Sequence, residues 1–492
     1  MKPKIQYAVV TVMMFLICIV AALLPTDKTA KRIHQHLENQ TESAIYAEDK
    51  TGSHLPIISI ETGGQRIPGE PVLDNVGNAI SFLPGVNGEE MVKVNISIMD
   101  KEAEYNDTTD DAVFATDALI RLRGNSSRNF DKKSYLIRFV DKTGDEADYA
   151  VMGMYQHDEW ALYGPFLDKT LIRNYMWMNI SAEIMGYAPN VRFCECYIDG
   201  EFKGLYLMME TIGRSEGRVD INEYEPGDAE SSYIVKLDKL SNDEKSLENF
   251  TYYTLNTEYN TELSIIYPAK RDLSDDLVNY VESDISQFEK VLYSYDFKDP
   301  EKGYRAYINV DSFVDYYVLQ EFLSNNDMCS RSTYLYKDVR GKLAMGPVWD
   351  YNNVCNNYIN LEFDGSGMNF IDRTWYTMLL KDEYFVEKVI ERYKQLRKSY
   401  LSEDYLLNYI DETTAYLGDE IDRNYSVWGY SFQREHQLPG ISRRPIELNP
   451  TSYDEAIDQL RYYIVKRGDW MDRNIETLYQ YCHESKIKQF VD

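Results

Sequence analysis

Two aspartates, Asp327 and Asp350, sit where a chain of this pattern can do chemistry. Asp327 follows a predicted helix, Ser312 to Leu323, through the loop Ser324-Asn325-Asn326. Asp350 follows a predicted hairpin, Thr333 to Tyr336 and Lys342 to Val348 with its turn through Asp338 to Gly341, and opens the run Asp350-Tyr351-Asn352 behind Trp349. A carboxylate held at the end of a regular element can accept a proton from an attacking hydroxyl or ligate a divalent cation. Two of them can also act as an acid and base pair on a glycosidic bond.

The basic residues decide among these chemistries. Arg121 and Arg123 share one face of a predicted strand and lead into Gly124-Asn125-Ser126-Ser127. Small residues let backbone N–H groups approach an anion, and the arginines supply charge. On the strand after it, alternation puts Lys133, Tyr135, Ile137 and Phe139 on one face and Lys132, Ser134, Leu136 and Arg138 on the other. The first set is apolar apart from its lysine. Lys133 is therefore expected to point inward toward a carboxylate or phosphate, with Lys132 as its solvated neighbour. Glu210 ends the apolar run Leu205 to Met209 and could pair with Lys133 or with a metal, or stand exposed at a strand end. Glycoside hydrolysis would leave these basic strands without a task. No H-E-x-x-H or G-x-S-x-G pattern is present, which argues against zinc hydrolysis and a serine nucleophile.

The elements that must position these residues fall into two halves. Strands are expected at Pro56–Ile60, Met91–Met99, Ala118–Arg123, Ser134–Val140 and Tyr233–Leu237. Val191–Ile198 and Glu201–Met209 flank Asp199-Gly200, a strong hairpin signal. Asp168 reads as the N-cap of a helix from Lys169 to Met185, stopped by Gly186. Beyond Arg271 the pattern turns helical, with Leu273 to Tyr293, then Ser312 to Leu323 capped by Asp311, then repeated 3.6-residue periodicity from Tyr384 to Cys482. The expected class is α+β, with a β-rich lobe over about 55–270, a helical lobe over about 271–482 and a cleft at their join.

The net charge of −29 argues against nucleic acid and anionic membrane surfaces as partners. Lys2 and Lys4 precede Tyr7 to Leu24, an uncharged stretch just long enough to span a bilayer. Residues 1–25 are thus read as a signal anchor or a cleaved signal peptide, and 26–54, with its His34-x-His36 pair, as a polar linker. The folded part is expected to be extracytoplasmic, single-pass at the cell membrane or secreted. The six cysteines include no C-x-x-C pair, and mostly buried free thiols are expected.

In order along the chain, Ile120-Arg121-Leu122-Arg123-Gly124-Asn125-Ser126-Ser127, Lys132-Lys133-Ser134-Tyr135, Trp160-Ala161-Leu162, Leu171-Ile172-Arg173-Asn174 and Tyr197-Ile198-Asp199-Gly200 are followed by Arg218-Val219-Asp220, Val235-Lys236-Leu237-Asp238, Gly346-Pro347-Val348-Trp349-Asp350 and Trp470-Met471-Asp472. Together they resemble the CotH kinase family, named for a spore coat protein, over about Leu55 to Tyr479. The resemblance implies an atypical protein-kinase-like two-lobe fold, ATP with Mg2+ or Mn2+, and phosphoryl transfer to Ser or Thr of surface or coat proteins. Protein kinases place a catalytic Asp and a metal-binding Asp in this order on these elements. By carry-over Asp327 is the catalytic Asp, Asp350 a metal ligand, and Lys133 a holder of ATP phosphates. Glu210 would support the nucleotide site, with Arg121, Arg123, Asn125, Ser126 and Ser127 alongside. The family's Trp-Asp-x-Asp becomes Trp349-Asp350-Tyr351-Asn352 here, and Ser332 stands where the kinase loop carries Asn. Asn352 can ligate through its carbonyl but brings no charge, which leaves a non-catalytic surface scaffold as the alternative.

Overall fold

Seven strands, apolar on the inward face, close the first half of the chain into a barrel. β1 (Ile57–Glu61), β4 (Val92–Met99), β5 (Phe114–Arg123), β6 (Ser134–Val140), β7 (Glu159–Tyr163), β8 (Val191–Ile198) and β9 (Glu201–Glu210) pair in the order β1-β4-β5-β6-β7-β9-β8. The neighbours run antiparallel except β1 and β8, whose parallel pairing (Ile57 opposite Glu195) closes the ring. In this computed structural model the described residues are 32–38, 52–75, 79–101, 105–124, 126–228, 230–240, 244–357, 365–433, 436 and 446–483.

Ile120, Leu122, Tyr135, Ile137, Phe139, Trp160, Tyr206 and Met208 fill the barrel interior. On β9 the intervening Leu205, Leu207 and Met209 point outward and join the core of the helical half. Two-residue alternation therefore serves two cores at once. The β8–β9 turn is made by Asp199 (φ 48°) and Gly200 (φ 77°), both in the left-handed region that Asp and Gly tolerate best. A short hairpin, β2 (Pro71–Leu73) with β3 (Ala79–Phe82), stands apart from the barrel.

A second sheet, β11-β10-β12-β13, carries the chain toward the helices. Its strands are β10 (Tyr233–Asp238), β11 (Glu262–Tyr267), β12 (Thr333–Lys337) and β13 (Ala344–Met345). The sequence expects a longer final strand, Lys342 to Val348. Gly346 at φ 109° and Pro347, which has no N–H to donate, end the ladder early.

The helices are α1 (Arg173–Met185), α2 (Asp275–Leu292), α3 (Val310–Leu323), α4 (Glu383–Leu396), α5 (Glu403–Leu417), α6 (Asp419–Trp428) and α7 (Tyr453–Asn474), with shorter turns between them. Two expected caps are displaced. Asn309, not Asp311, caps α3 by accepting from the Ser312 N–H. Asp168 does accept from backbone N–H groups, of Thr170 and Arg173, but Leu171 at φ 66° breaks the turn and α1 starts only at Arg173. The deepest polar pin joins α3 to α7. Arg467 and Glu321, both fully buried, bond at 2.5 Å, and the Asn369 and Phe370 N–H groups complete the carboxylate's partners.

Tyr7 to Leu24 lies outside the described residues. Among the described residues no helix is long and apolar enough to cross a membrane. The linker reading of 26–54 does not hold for 34–38. There a helical turn (Gln35–Glu38) packs on the body: the Gln35 amide bonds both the N–H and C=O of Phe193, and His36 is 2% exposed beside the Tyr175 hydroxyl. Cys194, Cys196, Cys329 and Cys355 are buried free thiols, as expected.

Candidate phosphotransfer site

Asp327 is set by the end of α3. Ser324 turns the chain in the left-handed region, the Asn325 side chain donates back to Gln320, and the Asp327 N–H donates to the Asn325 side chain. The Asp327 carbonyl then accepts from the Ser330 and Arg331 N–H groups. The backbone is pinned on both sides and the carboxylate is left over. Asp350 sits at φ 63°, a conformation Asp adopts more readily than most residues. Behind it the Tyr351 N–H donates to the Asn174 side chain, and the Tyr351 hydroxyl accepts from Gln320. α1 and α3 thus clamp the loop between them.

The two aspartates feel each other. Burial and then the Asp327 charge push the Asp350 carboxyl up to about 7, while Arg123 pulls it down. Asp327 is also raised, by burial and by Asp238, against Arg331 and Arg373. Asp238, the last residue of β10, acts on both. The Arg123 guanidinium lies 4.5 Å from the Trp349 ring centroid, so the outward face of the barrel strand meets the loop that carries Asp350. Tyr163, at the end of β7, has its phenol raised by burial and by the charges of Asp168 and Asp350.

The loop after β5 is built around one glycine. Gly124 has φ 105°, and a Cβ there would fall 1.8 Å from the Ser127 hydroxyl. Only glycine admits that approach. Arg128 in the next turn (Ser126–Asn129) is brought down to about 10 by burial and by the neighbouring charges of Arg121 and Arg123. Three arginines therefore converge on one side of the loop. Asn125 lies outside the described residues, as does the Ser126 side chain.

Two expectations fail here. Lys132, not Lys133, is the buried lysine. Lys132 is 1% exposed and donates to the Leu205 carbonyl and the Asn424 side chain, at 2.6 and 2.7 Å. β6 begins only at Ser134, so strand alternation does not govern the two lysines before it. Lys133 lies at the barrel mouth and donates to the Arg128 carbonyl and to Glu70. Arg123 is the cation that acts on Asp350. Glu210 is fully buried, but its carboxylate accepts from the Asn190 N–H, the Asn190 amide and the Tyr187 hydroxyl. It holds the turn between α1 and β8 and pairs with neither lysine.

A divalent cation fits the loop. The Asn352 side-chain oxygen is buried with no hydrogen-bond partner, in a residue 9% exposed, two positions from Asp350. A buried orphan acceptor is what a cation satisfies. Mg2+ takes one or two protein carboxylates and completes its shell with phosphate oxygens, so a wider all-protein cage is not required. Among the described residues the one tight grouping of possible ligands is elsewhere: Asp148, His157 and Asp158 on the barrel, with Arg138 3.8 Å from Asp158.

Asp238, Arg128 and Tyr163 were not singled out from the sequence. Asp238 and Tyr163 close strands, and Arg128 follows the glycine turn, but their meeting depends on pairings such as Leu237 opposite Thr333.

A barrel strand presenting arginines to a loop with paired aspartates, over a helical half, defines a kinase-like protein. The chain belongs to the CotH kinase protein family, whose profile matches residues 120–471. A comparison with curated proteins finds no match.

Proposed function

We propose that the chain is a metal-dependent protein kinase that moves the γ-phosphoryl group of ATP to Ser or Thr of proteins at the cell or spore surface. The observation that carries this reading is the approach of Arg123 to the Asp350 loop, its guanidinium 4.5 Å from the Trp349 ring centroid, with the charges of Asp327 and Asp238 both acting on Asp350. Asp327 accepts the proton of the acceptor hydroxyl. Its raised carboxyl is a better base than an ordinary aspartate. Arg123, with Arg121 and Arg128, balances charge on the phosphates. Asp350 and the Asn352 carbonyl would hold Mg2+ or Mn2+, which neutralises phosphate charge when bound. The uncharged Tyr7 to Leu24 supports export and anchoring, with the kinase half outside the cytoplasm.

The test is transfer from γ-labelled ATP with Mn2+ or Mg2+, using Thr26 to Asp492, onto the chain itself or a generic protein acceptor. Label on the wild type that is lost in both Asp327→Asn and Asp350→Ala, with folding intact, supports the kinase. Asn352 in place of a carboxylate favours one other reading, a binding scaffold on the kinase-like fold. No label and no ATP-dependent thermal shift would establish that reading instead.

A further inference from the structure

His34, His36 and His54 all stand ahead of the first barrel strand, and the phosphotransfer site makes no use of them. His34 and His36 flank Gln35 where the turn Gln35–Glu38 is seated on α1, α5 and β8. Both rings are buried, His34 at 9% and His36 at 2% exposure.

Their hydrogen bonds leave no room for a second proton. The Tyr175 hydroxyl accepts the His36 backbone N–H at 3.1 Å, which directs its own hydrogen at the His36 Nδ1, 2.8 Å away. The ring proton of His36 is then on Nε2. His34 is wired in the same way. Its Nε2 donates to the Glu183 carboxylate at 3.1 Å, and its Nδ1 takes the Tyr409 hydroxyl at 3.0 Å. That hydroxyl already accepts the Asn179 amide at 3.1 Å. Each Nδ1 is thus an acceptor, and protonating it would set two hydrogens face to face.

The surroundings do not compensate a charge on His36. Tyr175 and Glu183 on α1, and Tyr409 and Glu412 on α5, face the pair; Tyr400 donates to Glu183, and β8 brings the uncharged Phe193. Glu412 stands 3.8 Å from the His36 Nε2 with its side chain 45% exposed, so water screens it. A charged His34 would repel a charged His36, their ring centroids being 6.1 Å apart. Burial, then His34, brings the His36 imidazole down from 6.5 to about 3. A group lowered in this way contributes stability that is full above 6.5 and is lost as pH falls from 6.5 toward 3.

We propose that the His34-Gln35-His36 turn is an acid-released strap, docked on α1 and α5 at neutral pH and let go when its imidazoles take up protons. Among the described residues the next hydrogen-bonded contact along the chain is at Ser53 and His54, whose hydroxyl and backbone N–H donate to Glu420 on α6. Moving the first contact from His34 to Ser53 adds roughly 60 Å of fully extended chain after the uncharged Tyr7 to Leu24. In an anchored chain the strap would therefore set the reach of the catalytic half. That consequence rests on the anchor reading, whereas the release does not.

The measurement is amide hydrogen exchange of the full-length chain in detergent, corrected for the intrinsic effect of pH. It is read at the His36 and Leu37 N–H groups, which donate to the Tyr175 hydroxyl and the His34 carbonyl. From pH 7.5 to 5.0 their protection should fall about thirtyfold, or to that of an unstructured peptide, with the α7 amides unchanged. His36→Asn keeps an acceptor for the Tyr175 hydroxyl but cannot titrate, and its protection should fall less than about fivefold. Protection that holds at pH 5.0 in the wild type overturns the proposal. So does an equal fall in His36→Asn, or a fall shared by α7, which is general loosening. If His36→Asn is already undocked at pH 7.5, NMR of histidine labelled with 13C at Cε1 decides. A His36 signal that stays neutral, with its proton on Nε2, below pH 6 supports the strap, and one that titrates like a free histidine overturns it.

Discussion

Replacing Asp350 with Asn removes a charge that the fold holds at a cost. The Asp350 carboxyl is raised from 3.8 to about 7, first by burial and then by Asp327. A carboxyl raised on folding binds its proton more tightly in the native state. The stability it favours is full below pH 3.8 and is lost as pH climbs through about 7. The whole shift corresponds to ~4 kcal/mol. That is an upper value, because Asp327 is raised too and coupled groups share their titration. For a chain of 492 residues the unfolding entropy is about 1 kcal/mol/K, so the difference should be up to about 4 °C in Tm. Asp350→Asn should match the wild type near pH 4 and exceed it at pH 8 by about 2–4 °C. Other raised carboxylates, such as Glu289 and Glu321, are common to both proteins and cancel in the difference. Mn2+ at a hundredfold excess over its Kd should return about 2.7 kcal/mol to the wild type at pH 8 and little to the variant. The assay is thermal unfolding by circular dichroism from pH 4 to 8, with and without the metal. Parallel curves for the two proteins across the whole range would refute the charge cluster.

Four further outcomes follow from the same contacts. Arg467→Met leaves Glu321 buried without its cation and should cost ~3–5 kcal/mol in chemical unfolding, whereas joint replacement of both partners by apolar residues should cost far less. Gly124→Ala, forced against the Ser127 hydroxyl at φ 105°, should cost ~1–3 kcal/mol and weaken the ATP-dependent thermal shift more than its stability loss explains. Lys132→Met strips two bonds from buried acceptors and should destabilise by ~1–3 kcal/mol. Lys133→Met, at the barrel mouth, should stay within about 0.5 kcal/mol of wild type in urea unfolding, and the opposite order would reverse the assignment of the buried lysine.

What the sequence disclosed and what it withheld divide along one physical line. Local signals held. Asp199-Gly200 made its turn, Ser134–Val140 formed as a strand to the residue, and α3 ended where the loop to Asp327 was expected. The helix that Asp168 was to open failed for a local reason too, since Leu171 takes a left-handed conformation that no propensity announces. The two lysines fell to a different cause. Alternation is a property of a strand, and the strand starts one residue after Lys133, so alternation does not orient the two lysines. Glu210 shows the limit of chemistry without topology. A carboxylate at the end of an apolar strand asks for a partner, and only closure of β9 against β8 reveals that Asn190 answers. In the second sheet, the pairing of β10 with β12 brings Asp238 to act on Asp327 and Asp350. Long-range pairing, rather than residue type, thus determines both which expected partner is absent and which unexpected carboxylate completes the site. Asp327 and Asp350 are each fixed by their own loop, whereas the charge around them is a property of the folded pairing alone.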